Sequence, residues 1–228
     1  MPDIFDEVDE DLRAERLRRW TRRFGPLVIA AAVAVVVGVG GWEAWKWFDQ
    51  RGATATATRY LAAQKIADAR PGPGRQAAVP LFAAIAANGS HQYPTLARLR
   101  QAALLADAGD LKGASALWDA VATDNGADKL LRDLADLEWS EHNLDSADPV
   151  QLGARLQRLA APDNAWHGLA QEAEALLALR QGKPDAARLT LKQLTQDDAV
   201  PEGVRRRAQG LLAQLGPAAD AKAVKGGS

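Results

Sequence analysis

The feature that most constrains this chain is an uncharged apolar run near its start, FGPLVIAAAVAVVVGVGGW, from Phe24 to Trp42. A run of this length favours a lipid bilayer over the interior of a soluble domain. A helix from Pro26 to Phe48 would be about 35 Å long at about 1.5 Å per residue, which exceeds the roughly 30 Å of a hydrocarbon core. The sequence therefore predicts a single transmembrane helix, which we assign to residues 24–48.

Two other interpretations of the run are weaker. A cleaved signal peptide would use the small residues 53–55 as its cleavage site, but the segment before the run is too long and too acidic for a signal peptide. A buried helix of a soluble protein would need apolar neighbours on all sides, and nothing else in the chain is apolar enough to surround it. Tryptophans at both ends, among them Trp20 and Trp45, favour the headgroup regions of a bilayer and support a retained signal anchor.

Arginine is concentrated before the apolar run. Only Lys46 and Arg51 follow the run closely, whereas six arginines precede it: Arg13, Arg16, Arg18, Arg19, Arg22 and Arg23. Basic residues next to a span are retained on the cytoplasmic side of the membrane. Residues 1–23 are therefore predicted to be cytoplasmic, and the chain from Asp49 onward is predicted to be exported.

The N-terminal segment, residues 1–23, allows two interpretations. It is acidic in its first half and basic in its second half, and its apolar residues fall near helical spacing, which would let it lie against the inner leaflet. It is either a solvated segment that sets the topology or a docking motif for a cytoplasmic or membrane partner.

The exported part has the composition of an all-α domain that is held together by packing alone. It is rich in alanine and leucine and poor in β-branched residues, and the chain contains no cysteine. Of the 28 Lys plus Arg and 29 Asp plus Glu, seven basic and eight acidic residues precede Asp49, which leaves 21 of each in the exported part. Because such a domain has no net charge, it has no field that would attract nucleic acid.

Glycine and proline breaks divide the exported part into helix pairs at regular intervals. The turns inside the pairs lie at Gly74, Gly109, about Ala147 and Gly182, so the period is 35, 38 and 35 residues. Tetratricopeptide repeats recur about every 34 residues as antiparallel helix pairs, which bury their apolar faces by stacking into a solenoid. The sequence predicts such an all-α solenoid over residues 49–216, followed by a small, polar tail at 217–228 with a composition that favours disorder.

The repeat register rests on the second helix of each pair. In two pairs a small residue follows the turn glycine after five positions, as Ala114 and Ala187 do, and a large apolar residue follows after nine, as Trp118 and Leu191 do. This arrangement fits the small and aromatic positions of the repeat pattern. The third pair has no turn glycine and carries Leu152–Gly153 in the small-residue region, which leaves its register open.

The start of the chain resembles a known family. The run FDEVDEDLRAERLRRWTRRFGP, followed by one span and an exported domain rich in alanine and leucine, resembles the ancillary subunit of the SecYEG translocon, the YfgM-like tetratricopeptide family of Gram-negative bacteria. The resemblance covers nearly the whole chain. It implies a single-pass protein of the bacterial inner membrane with a periplasmic C-terminal domain. It also implies three kinds of partner, namely the SecYEG channel, a membrane-anchored periplasmic foldase and unfolded exported clients.

No sequence pattern indicates an enzyme, a cofactor site or a metal site. The three histidines are isolated in sequence, and no HExxH or Cys/His spacing occurs. The glycines of residues 71–74 lack the strand, lysine and helix of a phosphate loop. Acidic pairs and one basic run are interpreted as solvated helix faces: Asp133 with Asp136, Glu172 with Glu174, and residues 205–207.

Binding through shape is the function that remains. The concave side of a stack of helix pairs is lined by the first helix of each pair, which makes six residues candidates for a partner-binding groove: Leu99, Ala103, Ala106, Leu169, Glu172 and Leu176. The alternative is that they belong to the core between repeats. With the resemblance, this predicts a membrane-anchored periplasmic adaptor or accessory chaperone at the Sec translocon. A structural scaffold for an envelope or cell-division assembly is the alternative.

Overall fold

Helices joined by short turns make up the part of the chain that the structure describes, which is residues 38–39, 42, 46, 51–68, 73–90 and 92–216 of a computed structural model. The helices are α1 (residues 51–67), α2 (Pro73–Gln76), α3 (Ala78–Asn88), α4 (Tyr93–Asp107), α5 (Leu111–Ala122), α6 (Lys129–His142), α7 (Pro149–Leu159), α8 (His167–Arg180), α9 (Pro184–Gln196) and α10 (Glu202–Leu215). These residues contain no strand. The prediction of an all-α repeat fold is confirmed.

The chain divides into two compact units, Met1–Thr54 and Ala55–Ser228. Among the described residues, no helix has both the length and the apolar character that crossing a bilayer requires. The predicted cytoplasmic segment 1–23 and all but four residues of the predicted span 24–48 lie outside the described residues, as does the tail 217–228. The stretch after the predicted span is helical, since residues 51–67 form α1.

The helices of the second unit stack in the manner of a solenoid. Each helix from α3 to α10 packs against the next one along the chain, and each first helix of a pair also contacts the first helix of the next pair, α4 with α6, α6 with α8 and α8 with α10. This second set of contacts places the first helices side by side along one face. The predicted pairs with turns at Gly109, about Ala147 and Gly182 are therefore α4 with α5, α6 with α7 and α8 with α9, and α10 closes the stack. Of the first predicted pair, the structure describes α1 and α3, whose buried residues share one core cluster, and the predicted turn residue Gly74 lies within the short helix α2.

Two of the turns inside the pairs share one backbone geometry. Gly109 and Gly182 have φ angles of 87° and 71°, in the left-handed region that glycine adopts without strain. In both turns the backbone N–H of the next residue donates to the carbonyl oxygen five positions earlier, over 2.9 Å. This hydrogen bond is the signature of a Schellman motif, which satisfies the last carbonyls of a helix. The glycines thus end α4 and α8 and turn the chain back onto them.

The third turn, between α6 and α7, is held in another way. Arg180 of the next pair reaches back, and its Nη1 donates to the carbonyl oxygens of Leu144 and Ala147 over 2.6 and 3.0 Å. The side chain of Asp148 then caps α7 by accepting hydrogen bonds from the backbone of Val150 and Gln151, both at 3.0 Å. Arg180 of the following repeat therefore satisfies carbonyl oxygens of this turn, as a backbone hydrogen bond does at the turn glycines of the pairs α4 with α5 and α8 with α9.

The small-residue positions lie where the register predicts them. Ala114 and Ala187 are fully buried, and Trp118 is only 1 % exposed. Five positions after Ala147 stands Leu152, which is also fully buried, so the third pair carries a leucine at this close contact. The contact between α6 and α7 is also smaller than the contacts within the pairs α4 with α5 and α8 with α9.

One predicted solvated face is instead an ion-pair network, so that interpretation was wrong. Asp136 is 8 % exposed and accepts hydrogen bonds from Arg155 at 2.8 Å and from Arg158 at 3.0 Å. Arg155 also bonds Asp119 at 2.7 Å, and its guanidinium lies 3.9 Å from the ring centre of Trp139. A carboxylate this far out of water is tolerated only when it is paired. The network ties α5, α6 and α7 together.

Candidate partner-binding groove

A groove of about 580 Å³ lies where α6, α8 and α10 run side by side. Because α6 and α8 are the first helices of their pairs, this is the concave face that the sequence analysis predicts for partner binding. The groove combines leucines with charged side chains. Its lining residues are Leu134, Leu137, Glu138, Glu141, Leu144, Trp166, Leu169, Glu172, Ala173, Leu176 and Arg207.

The charged positions of the groove repeat with the period of the fold. Glu138, Glu172 and Arg207 stand 34 and 35 residues apart, on α6, α8 and α10. The same step backwards from Glu138 leads to Ala103 on α4. Equivalent positions of successive repeats face the same side of a solenoid, and this brings together side chains that are far apart in sequence.

Glu172 and Arg207 form the strongest polar contact of the groove. Glu172 Oε1 accepts from Arg207 Nε at 2.7 Å, and Glu172 Oε2 accepts from Arg207 Nη2 at 2.6 Å. Glu172 is 8 % exposed, whereas half of the arginine side chain remains in contact with solvent. The hydrogen bonds to Glu172 raise the pKa of Arg207 above its ordinary value. The prediction of a solvated helix face was therefore wrong for Glu172, whereas Arg207 is exposed as predicted.

The other two carboxylates of the groove lack such a partner. Partial burial raises the pKa of Glu138 above its ordinary value of 4.5, and His142, whose Nδ1 lies 3.7 Å from Glu138 Oε2, opposes the rise. Partial burial also raises the pKa of Glu141 above 4.5, the charges of Glu138 and Glu172 add to the rise, and His142 and Arg207 oppose it. Carboxylates that are crowded together in this way are common at functional sites.

Apolar side chains make up the rest of the groove wall. Leu169 packs against two core clusters, one around Leu137 and one around Leu191, which fixes its position on α8. Trp166 precedes α8, and its indole Nε1 donates to the carbonyl oxygen of Leu130 over 3.1 Å. A wall of leucines and an anchored indole buries apolar ligand surface, while the carboxylates set the orientation of polar groups.

Comparison with known proteins now decides the family. The model of a family described as "Tetratricopeptide repeat-like domain" matches residues 18–209, from before the apolar run to within α10. The chain belongs to this tetratricopeptide repeat-like family. No curated protein and no solved structure matches the chain. Domains built from such repeats bind partner proteins, which makes the groove the natural candidate for that function.

The tetratricopeptide-like domain brings only some of the predicted groove residues together. Leu169, Glu172 and Leu176 line the groove. On α4, Leu99 and Ala106 pack instead against the core cluster around Trp118, as the alternative interpretation has it, and Ala103 is half-buried outside the lining of this groove. The prediction of partner binding at these residues stays a prediction.

The sequence analysis missed eight of the lining residues, and three of these, Leu134, Glu138 and Glu141, follow from the period of the fold. Each stands 35 residues after one of the α4 candidates Leu99, Ala103 and Ala106. Carrying the α4 candidates forward by one repeat would have found them. The predicted candidates lie only on α4 and α8, so α6, the first helix of the pair between them, was passed over.

No group of three or more histidine, cysteine, aspartate or glutamate side chains in the described part of the chain is arranged to hold a metal ion.

Proposed function

We propose that this protein is a membrane-anchored periplasmic adaptor or accessory chaperone at the Sec translocon, and that it binds partner proteins in the groove of its tetratricopeptide-like domain. The partners proposed are the SecYEG channel, a membrane-anchored periplasmic foldase and unfolded exported clients. The observation that carries the binding part of the proposal is the open groove across α6, α8 and α10, which offers both leucines and charged side chains.

The proposed anchor supports the assignment to a membrane-embedded partner. The apolar run from Phe24 to Trp42 and the six arginines before it favour an uncleaved span with the repeats on the exported side. A tether confines the groove near the membrane, and the effective concentration of linked modules reaches the mM range. Weak contacts in the groove would then be enough to hold a channel or an emerging chain.

Photo-crosslinking in native membranes tests the proposal. A photoreactive phenylalanine derivative in place of Leu176 in the full-length protein places the probe on the groove wall, and mass spectrometry then identifies the captured proteins. We expect SecYEG components to be recovered from this position. The matched control carries the probe in place of Leu189 on α9, a leucine that is 61 % exposed and lies outside the groove lining. The control should recover far less of the same proteins.

The same experiment distinguishes the proposal from the alternative. Recovery of division-site or peptidoglycan-synthesis proteins at Leu176, with no translocon component, would replace the adaptor by a structural scaffold for an envelope or cell-division assembly. Equal recovery from Leu189 and Leu176 would remove the groove from the explanation, because an outward-facing helix would then bind as well as the concave face.

A further inference from the structure

The charges of the groove do not balance. Glu138, Glu141 and Glu172 face a single cation among the lining residues, Arg207. That arginine is committed to Glu172 through two hydrogen bonds. Among the described residues, Glu138 has only His142 within ion-pair distance, and Glu141 has no cation there. Two carboxylates therefore remain available to a ligand at the edge of an apolar groove.

The apolar part of the groove restricts the ligand further. Leu134 and Leu144 of the α6 region and Leu176 of α8 are half-buried, so each keeps apolar surface exposed to the groove. A free inorganic cation would pair with the carboxylates but would leave this apolar surface exposed to water. A ligand that carries both apolar groups and a positive charge satisfies both parts.

We infer that the groove binds an unfolded or extended segment of a partner protein that carries apolar side chains next to a lysine or arginine. The cation pairs with Glu138 and Glu141, and the apolar side chains pack on Leu134 and Leu176. An acidic segment is repelled by the same carboxylates. The inference rests on the proposed function only in taking this groove as the binding site, and it adds the chemistry of the partner.

The chain's own tail is a poorer occupant than a partner segment. Residues 217–228, PAADAKAVKGGS, contain two lysines, Lys222 and Lys225, and follow directly after α10. However, the largest apolar side chain in this tail is a single valine, and the rest are alanine, glycine and proline. Such a segment meets the charge requirement but leaves the leucines of the groove uncovered.

The raised pKa values of Glu138 and Glu141 agree with a site that is made for a cation. Burial disfavours the charged form of Glu138, and burial together with the charges of Glu138 and Glu172 disfavours the charged form of Glu141. His142 and Arg207 relieve the repulsion at Glu141 only in part, and His142 alone opposes the rise in the pKa of Glu138. A lysine or arginine between the carboxylates relieves more of it, so binding should strengthen as the two groups ionise.

A peptide titration tests the inference with the full-length protein in lipid nanodiscs. The probe is a short fluorescent peptide of leucine and alanine with one central lysine, and the matched probes replace this lysine by glutamine or by glutamate. We expect the lysine peptide to bind about tenfold more tightly than the glutamine peptide, the effect of one charge-assisted contact, and the glutamate peptide to bind more weakly still.

Variants assign the preference to the carboxylates. In Glu138→Gln/Glu141→Gln the lysine and glutamine peptides should bind within about twofold of each other, because the charges that distinguish them are gone. Glu174→Gln is the matched control, since Glu174 is a half-buried glutamate on α8 that does not line the groove. It should keep the full preference. Leu176→Ala should weaken the lysine and glutamine peptides by the same factor.

Three results would overturn the inference. One is a glutamate peptide that binds as tightly as the lysine peptide, and another is a lysine preference that survives in Glu138→Gln/Glu141→Gln. The third is a large gain in affinity when the chain is ended at Gly216, which would make the tail the occupant. The proposed function and the ligand chemistry fail in different ways. A lysine preference together with crosslinks that contain no translocon component would refute the channel as a partner. Recovery of translocon components without a lysine preference would refute the ligand chemistry.

Discussion

Glu172 on α8 and Arg207 on α10 lie 35 residues apart and are joined by two hydrogen bonds of 2.7 and 2.6 Å. This distance in sequence is one repeat, so the pair links equivalent positions of neighbouring repeats across the groove floor. The glutamate is almost fully buried while the arginine is half-exposed. The pair is therefore a seam between the last repeat and the terminal helix.

Removing this seam should loosen the C-terminal end of the stack. We expect Glu172→Gln to lower the free energy of unfolding by about 1 to 3 kcal/mol, since it weakens two charge-assisted hydrogen bonds at a buried group. Urea unfolding of the full-length protein in detergent measures the change. The control is Glu202→Gln, which removes an exposed carboxylate that pairs with Arg206 and should change stability by less than about 1 kcal/mol. Equal effects of the two substitutions on the free energy of unfolding would contradict a stabilising role for the Glu172–Arg207 pair.

The close contact inside the second pair should not accept a larger side chain. Ala114 on α5 is fully buried, beside Ala102 and Trp118, so Ala114→Leu should cost about 1 to 3 kcal/mol through overpacking. Ala116 is exposed on the same helix, and Ala116→Leu should be nearly neutral. Thermal melts followed by circular dichroism compare the two. An unchanged melting temperature for Ala114→Leu would refute the register.

The carboxylates of the groove should make stability depend on pH. Since the pKa values of Glu138 and Glu141 are raised above 4.5 in the folded state, their protonated forms are favoured there, and this contribution to stability is complete below pH 4.5. It is lost as pH rises through the folded-state pKa values. Glu138→Gln/Glu141→Gln removes the loss, so the variant should be more stable than the natural protein at neutral pH.

Urea unfolding of both proteins across a pH series measures this difference. The gap should close as pH falls well below 4.5, because both carboxyl groups are then protonated in the folded and unfolded chains and neither protein carries a charge at the two positions. Ionisable groups that do not interact with Glu138 or Glu141 contribute equally to both proteins and drop out of the comparison, whereas Glu172, His142 and Arg207 do interact with them. A gap that widens at low pH would mean that the carboxylates stabilise the fold as anions, with the opposite sign.

The predicted topology has a direct test in cells. A fusion of alkaline phosphatase after Gly216 should be active, because the arginines before the apolar run favour export of everything behind it. Replacing all six arginines by glutamine should give mixed orientations, since only Lys46 and Arg51 then bias insertion. An inactive fusion, or a mature N-terminus near Thr56, would refute an uncleaved, outward-facing anchor.

Most of the fold could be predicted because its signals are local. The glycines at 109 and 182 end α4 and α8, and the structure places both turns where the sequence analysis expected them. The third turn was less certain, because its support comes from Arg180, a residue more than thirty positions away. A signal that acts over this distance cannot be recognised from the turn itself.

The candidate site was predicted only in part. The rule that first helices line the concave face correctly placed Leu169, Glu172 and Leu176 in the groove. It did not show that Leu99 and Ala106 are turned into the core around Trp118. A helical residue with an apolar side chain fits either environment equally well by pattern alone.

The sequence by itself determined the helices and the buried small residues Ala114 and Ala187, since these follow from residues within one or two turns of a helix, and it determined the period through the recurrence of the helix breaks. Only the tertiary structure decided which charged side chains are buried. Asp136 is buried because Arg155 reaches it from α7, and Glu172 because Arg207 reaches it from α10. The free energy of burying a charge depends on the partner that the fold supplies, and that partner is set by the stacking of repeats and not by neighbouring residues.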